Sequence, residues 1–255
     1  MTPNTHPMVQ GFDRAAAAYE RSRPEYPEAA VAHLCRVLGI GPGRIVLDLG
    51  AGTGKLTRAV DGRGATLWAL EPTAAMRELL HRRLPEVTLV EGTAEAIALP
   101  SESVDAVVCA QAFHWFEPTR ATAEIARILR PAGGLGLLWN LRDESVPWVA
   151  ELTRILDRRD TGVPRGRTMA WKAPFAASGL FEPIAEAEFS LVQRADLETM
   201  LDRVRSVSFI ALLPSAEQEA VIGEVRRLID GSPEAWDHGA VVLPYRTHLF
   251  WSFRR

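Results

Sequence analysis

Residues 46–56 read VLDLGAGTGKL. A short apolar run ends at Asp48-Leu49, glycine then takes every second position at Gly50, Gly52 and Gly54, and Lys55-Leu56 opens a helical pattern. Glycine reaches backbone angles closed to other residues and has no Cβ to hold a ligand away. A strand that turns through such a loop into a helix begins an open α/β sheet, whose ligands sit beyond the carboxyl ends of the strands. The spacing is G-x-G-x-G. A dinucleotide fingerprint requires G-x-G-x-x-G, and its third glycine is replaced by Lys55. The missing third glycine counts against a dinucleotide and leaves that reading open.

Moving outward, two kinds of segment alternate from residue 44 to residue 140. RIVLDLG (44–50), TLWALE (66–71), EVTLVEG (86–92), VDAVVCA (104–110) and GLGLLWN (134–140) are near-continuous apolar strands, as in a parallel sheet covered on both faces. Helical patterns lie between them at 55–62, 74–84 and 119–129. Thr73 is the expected N-cap of the second, and Pro131 with the glycines after it stops the third. Strand alternating with helix implies a doubly wound sheet with right-handed crossovers. Glu71 ends the second strand, where a carboxylate can accept hydrogen bonds from two vicinal ribose hydroxyls.

The flanks add helices. Residues 11–39 carry RSRPEYP (21–27), whose prolines force extended backbone between helical pieces. Helices are expected at 147–159, 195–213 and 215–230, with Asp143 as N-cap of the first. Strands at 184–192 and 248–255 bring the sheet to seven. The chain reads as one domain, with a helical cap (1–43), a cofactor-binding core (44–142) and a substrate-side part (143–255).

At 255 residues, 47% hydrophobic and net charge −3, the chain has no basic field for nucleic acid. No apolar run approaches the roughly 18 residues of a membrane span. MTPNTHPMVQ (1–10) has neither the charged nor the apolar region of a secretory signal. A cytoplasmic monomer or homodimer is expected. Cys35 and Cys109 lie in separate apolar stretches and read as buried thiols. None of the six histidines has a second ligand at i+3 or i+4, so no metal site is expected.

The stretches VLDLGAGTGKLT, ALEPTAAM, VEGTAEAIALPSESVDAVVCAQAFHWF and AEIARILRPAGGLGLLWN, in this order and spacing, resemble the class I S-adenosylmethionine-dependent methyltransferases. RSRP and the aromatic cluster after strand four are similar to the trans-aconitate type of small-molecule enzyme. The resemblance implies a Rossmann-like fold with S-adenosylmethionine as donor, S-adenosylhomocysteine as product, and a small-molecule acceptor. It implies that Asp48, Gly50, Ala51 and Gly52 hold the methionine part, with Thr53 and Gly54 completing the turn. Glu71 would take the ribose. Pro72 and Met76 would pack on the adenine, and Thr93, Ala94 and Glu95 would meet its edge. Gln111 would face the sulfonium. Tyr19 and Arg23 would lie in the segment folding over the donor. Many relatives carry aspartate where this chain has Thr93. Two other readings stay open, an NAD-dependent oxidoreductase and a non-catalytic S-adenosylmethionine-binding protein.

AQAFHWFEP (110–118) follows strand four. His114 is a candidate general base, a candidate pocket wall with Trp115, or core packing. A sulfonium donor carries its own activation, so a base is needed only when the nucleophile arrives protonated with a high pKa. Trp139, Asn140, Arg142 and Trp148 after strand five, and Tyr245 before the last strand, are candidate acceptor contacts. Arg203 and Arg205 read as solvated helix face.

Overall fold

The computed structural model describes residues 20–160, 162 and 164–255. Tyr19 lies outside the described residues. Seven strands form the central sheet: β1 Ile45–Leu49, β2 Thr66–Leu70, β3 Thr88–Val90, β4 Val104–Ala110, β5 Leu129–Arg142, β6 Ala185–Ala195 and β7 Ala240–Phe253. Their spatial order is β3-β2-β1-β4-β5-β7-β6, and a two-residue strand, Trp236–Asp237, pairs with the start of β7. β1 to β5 run parallel. β7 runs antiparallel to both neighbours, from Tyr245 opposite Arg142 to Phe253 opposite Gly134 along β5. The order reverses between β1 and β4, which opens a crevice at their carboxyl ends.

Helices α1 Glu28–Leu38, α2 Lys55–Val60 and α3 Ala74–Arg83 close one face of the sheet, and α4 Pro118–Ile128 and α6 Lys172–Ala177 close the other. A separate apolar cluster joins α5 Pro147–Asp157, α7 Leu197–Arg205, α8 Ser208–Ala211 and α9 Ser215–Asp230 to the first half of β7. This helical layer stands over the carboxyl end of β5. Cys35 and Cys109 are buried free thiols. Among the described residues no helix is long and apolar enough to cross a membrane.

Three local expectations change. The helix expected at 195–213 breaks after Arg205, and α8 restarts on the N-cap Val207. Asp143 does not cap α5, whose N-cap is Val146 with Pro147 next. Its carboxylate instead accepts from the backbone N and Oγ of Ser145, closing a turn. β7 begins at Ala240, so Tyr245 lies inside the last strand and its ring is buried. β5 is also longer than its apolar core, because pairing with β7 continues to Arg142.

β5 carries Gly134 and Gly136 where α1 crosses it. A Cβ on Gly136 would lie 2.3 Å from Leu34 Cδ1 and 3.0 Å from Leu38 Cδ1. Both leucines are buried, so a larger residue must push the helix off the sheet. Gly136→Val is expected to cost about 1–3 kcal/mol of stability in urea unfolding. A cost below about 0.5 kcal/mol would show that α1 is not closely packed there.

Candidate active site

The glycine turn sits at the carboxyl end of β1 with positive φ at Gly50, Gly52 and Gly54. Gly50 is required twice. Its φ is 71°, and a Cβ there would meet Ala112 Cβ at 2.7 Å and Phe116 Cζ at 3.2 Å. The loop after β4 therefore presses directly on the turn. A Cβ on Gly52 would meet only the Met76 sulfur, at 3.8 Å.

Two buried carboxylates flank the turn. Asp48 Oδ2 accepts from Thr57 Oγ1 at 2.6 Å, while Oδ1 is buried without a hydrogen-bond partner. Burial, above all, pushes the Asp48 carboxyl up to about 7. Glu71 Oε2 accepts from the Gly52 backbone N at 2.8 Å and Oε1 from the Thr73 backbone N at 2.7 Å. Burial raises its pKa too, against these hydrogen bonds. Each Glu71 oxygen keeps a further lone pair for a hydroxyl. An orphaned carboxylate oxygen beside an open glycine is what an ammonium- and ribose-bearing ligand would satisfy.

The other residues expected on the donor side are placed as follows. Ala94 is buried and Thr93 half-buried in the small hairpin of Gly92–Thr93 and Ala96–Ile97. Glu95 is already engaged, accepting from the Glu117 backbone N at 2.9 Å and so fixing the entry to α4. The Pro72 carbonyl accepts from Arg77 Nη1. Thr53 donates to buried Glu20, which also contacts Lys55, Arg58 and Arg83. Glu25 pairs with Lys55 at 2.8 Å and Arg58 at 2.7 Å. These bonds strap residues 20–25 over the turn. Ala51 is part-buried within it.

A cavity of about 310 Å³ opens next to this centre, where β4, β5 and β7 meet α7 and α8. Gln111 holds φ 57°, unusual for a non-glycine residue, and donates from Nε2 to the Asn140 carbonyl at 3.2 Å. His114 and Trp115 line the cavity with Trp139, Asn140 and Arg142. Trp139 is stacked on Trp171, and its indole Nε1 donates to His114 Nδ1 at 3.2 Å. Desolvation of the imidazole, then the Arg23 charge, lowers the His114 pKa to about 3. Asn140 donates to the Glu25 carbonyl and accepts from Thr247 Oγ1, so both ends of its amide are engaged.

Trp148 and Tyr245 are placed differently. Both line a small pocket inside the helical layer, and Tyr245 also lines a second small pocket with Lys55, Gln111 and Asn140, its hydroxyl donating to Gln193 Oε1 at 3.1 Å. Arg23 does line the cavity and donates to the Ser206 carbonyl at 3.1 Å.

Arg203 is the main correction. It is 8% exposed and lines the cavity, so it is not solvated. Arg205 is half-buried and pairs with Asp202 and Glu219. The signal was in the spacing: Met200, Arg203, Val204 and Val207 share one helical face, which put the arginine on the apolar side. The turn Pro164–Arg167, which also lines the cavity, had no periodic pattern to mark it. Gly166 is needed there, because a Cβ would lie 2.3 Å from the Trp139 ring. Among the described residues no group of histidine, cysteine and acidic side chains could hold a metal.

Residues 47–137 match the model of a methyltransferase domain family. The chain is 39% identical over 255 residues to an uncharacterized methyltransferase of Mycobacterium tuberculosis, covering 97% of each chain. Its fold is similar to the YcgJ protein of Bacillus subtilis, with TM-score 0.61, 21% identity, and 90% of this chain and 99% of that one covered. It is also similar to a Haemonchus contortus phosphoethanolamine N-methyltransferase solved with phosphomonomethylethanolamine and S-adenosylhomocysteine. There the TM-score is 0.58 at 16% identity, covering 99% of this chain and 61% of that one.

Two outcomes follow from the carboxylates. Glu71→Ala is expected to weaken S-adenosylhomocysteine binding by about 1–3 kcal/mol in calorimetry, and an unchanged affinity would mean that the ribose is held elsewhere. A ligand ammonium favours ionised Asp48, whose carboxyl in the free protein titrates at about 7. Affinity should therefore rise as pH is raised from 5.5 to 7, with proton release on binding. A flat profile would remove Asp48 from the ammonium site.

Proposed function

The chain belongs to the S-adenosylmethionine-dependent methyltransferases, and we propose that it methylates a small molecule held in the cavity of about 310 Å³ beside the glycine turn. The observation that carries this reading is the contact between the two halves of the site. The loop that packs on Gly50 through Ala112 and Phe116 is the same loop that supplies Gln111, His114 and Trp115 to the cavity. A donor on the turn and an acceptor in the cavity would then meet across one short segment. The volume suits a small ligand.

Asp48, Gly50, Ala51, Gly52, Thr53 and Gly54 would hold the methionine part, Glu71 the ribose, and Pro72, Met76, Thr93 and Ala94 the adenine. The orphaned Asp48 oxygen and the spare lone pairs of Glu71 support this assignment. The Haemonchus contortus enzyme of similar fold was solved with S-adenosylhomocysteine, in keeping with the class of ligand proposed here. When bound, S-adenosylmethionine supplies a methyl group already activated on a sulfonium. The chain's own contribution is alignment and exclusion of water, and orientation of this kind is worth about 7–11 kcal/mol. The strap of Glu20 and Glu25 would cover the donor, and residues 1–43, 44–142 and 143–255 would act as cap, donor core and acceptor side of one domain.

His114 is better suited to donate a hydrogen bond than to accept a proton. An indole N–H is donor only, so the Trp139 bond assigns the Nδ1 lone pair and leaves the proton on Nε2. Charging the imidazole would cost that bond and place a cation beside Arg23. An acceptor that arrives ionised, as a carboxylate or phenolate oxygen does, needs no base. An amine or carbon nucleophile that must lose a proton finds none at His114. Oxygen is therefore the proposed methylated atom.

A screen of small acids, phenols, amines and indoles with methyl-labelled donor tests this. Label in a methyl ester or ether is expected, and exclusive N- or C-methylation would overturn the oxygen assignment. At saturating donor, turnover should show no inflection near pH 6–7 from His114. His114→Gln, which keeps an oxygen facing the Trp139 N–H, should lower kcat less than tenfold. A loss above about 100-fold together with a vanished acidic limb would restore the general base.

A further inference from the structure

Three of the six arginines that line the acceptor cavity have carboxylate partners. Arg165 pairs with Asp157 at 2.5 Å and Asp160 at 2.6 Å, and Arg167 with Asp157 and with Glu144 at 3.5 Å. Arg246 pairs with Asp143 at 3.1 Å and Glu188 at 2.6 Å. Arg142 and Arg203 differ. Both line the cavity, and among the described residues neither forms an ion pair. Arg142 Nε donates to the Thr153 hydroxyl at 2.9 Å, a neutral partner. Arg203 is 92% buried by its 8% exposure, and its Nε and Nη1 have no hydrogen-bond partner at all.

The two guanidiniums are close enough to repel. Burial, and then the Arg203 charge, pulls the Arg142 pKa down to about 10. A buried guanidinium with two unpartnered nitrogens, beside a half-buried one of the same charge, is costly unless something negative joins them. A guanidinium offers donors in a planar fork that matches the oxygens of carboxylate or phosphate.

Resting on the reading of the cavity as the acceptor site, we propose that Arg142 and Arg203 form an anion subsite that seats a carboxylate or phosphate group of the acceptor. This group is the handle and not the nucleophile. Oxygens engaged by two guanidiniums have their lone pairs occupied, so the reacting atom belongs to another part of the molecule, toward Gln111 and His114. The acceptor is thus an organic acid or a phosphate ester carrying a second, nucleophilic group. Arg23 lies on the same cavity wall and adds positive potential to it.

The test is calorimetry on the full chain saturated with S-adenosylhomocysteine, in low-salt buffer, with benzoate, phenyl phosphate and the neutral isostere benzamide as probes. At least one anion should bind ten times tighter than benzamide or better, and the preferred anion assigns carboxylate or phosphate. Arg203→Met should remove that preference while S-adenosylhomocysteine affinity stays within twofold. Arg142→Gln, which keeps a donor for Thr153, gives the same reading should Arg203→Met melt early. Equal binding of anions and benzamide overturns the proposal. So does a tenfold loss of S-adenosylhomocysteine affinity in the variants, which would assign the pair to the donor. Failure of S-adenosylhomocysteine to bind the wild-type chain would instead sink the donor reading itself.

Discussion

The carboxylate of Glu71 holds the site in register. Its two oxygens accept from the backbone of Gly52 and of Thr73, so one side chain fixes the glycine turn after β1 and the start of α3 after β2. The turn presents the Gly52 N–H to that carboxylate through glycines that take positive φ. Asp48 sits beneath it, buried and half satisfied. The folded chain favours the protonated form of Asp48, so its burial costs stability as pH rises through about 7, and a cationic ligand offsets that cost. Burial of both carboxylates thus favours ligand binding at the turn.

The acceptor side depends on a different contact. Trp139 is stacked on Trp171, edged by Gly166, and bonded to His114. That bond sets which nitrogen of His114 carries the proton, and burial beside Arg23 keeps the ring neutral. The walls then add their electrostatics, with six arginines lining the cavity and ion pairs to carboxylates at Arg165, Arg167 and Arg246. The glycine turn is set by backbone geometry, and the cavity walls by side chains contributed by distant parts of the chain.

That division explains what could be read in advance. Strands β1 to β5 were legible because each is a local apolar run, and the glycine turn because its spacing is contiguous. Helix α9 matched its expected span, 215–230, since a 16-residue amphipathic pattern with Pro214 before it leaves little freedom. Arg203 reads as solvated only if helix charges default to solvent; its spacing with Met200 and Val204 puts it on the apolar face, which the packing of α7 against β7 buries. The break after Arg205 and the turn at 164–167 have no periodicity to announce them. Trp148 is aromatic and close to Arg142 in sequence, yet the helical layer takes it into its own core, while Tyr245 joins that core and also borders Gln111 and Asn140.

The central claim is that the glycine turn with Asp48 and Glu71 binds S-adenosylmethionine and not a dinucleotide. Calorimetric titration of the chain with S-adenosylmethionine and, separately, with NAD tests it directly. One-to-one binding of S-adenosylmethionine with no heat from NAD is the predicted result. Saturable NAD binding with no response to S-adenosylmethionine would contradict it.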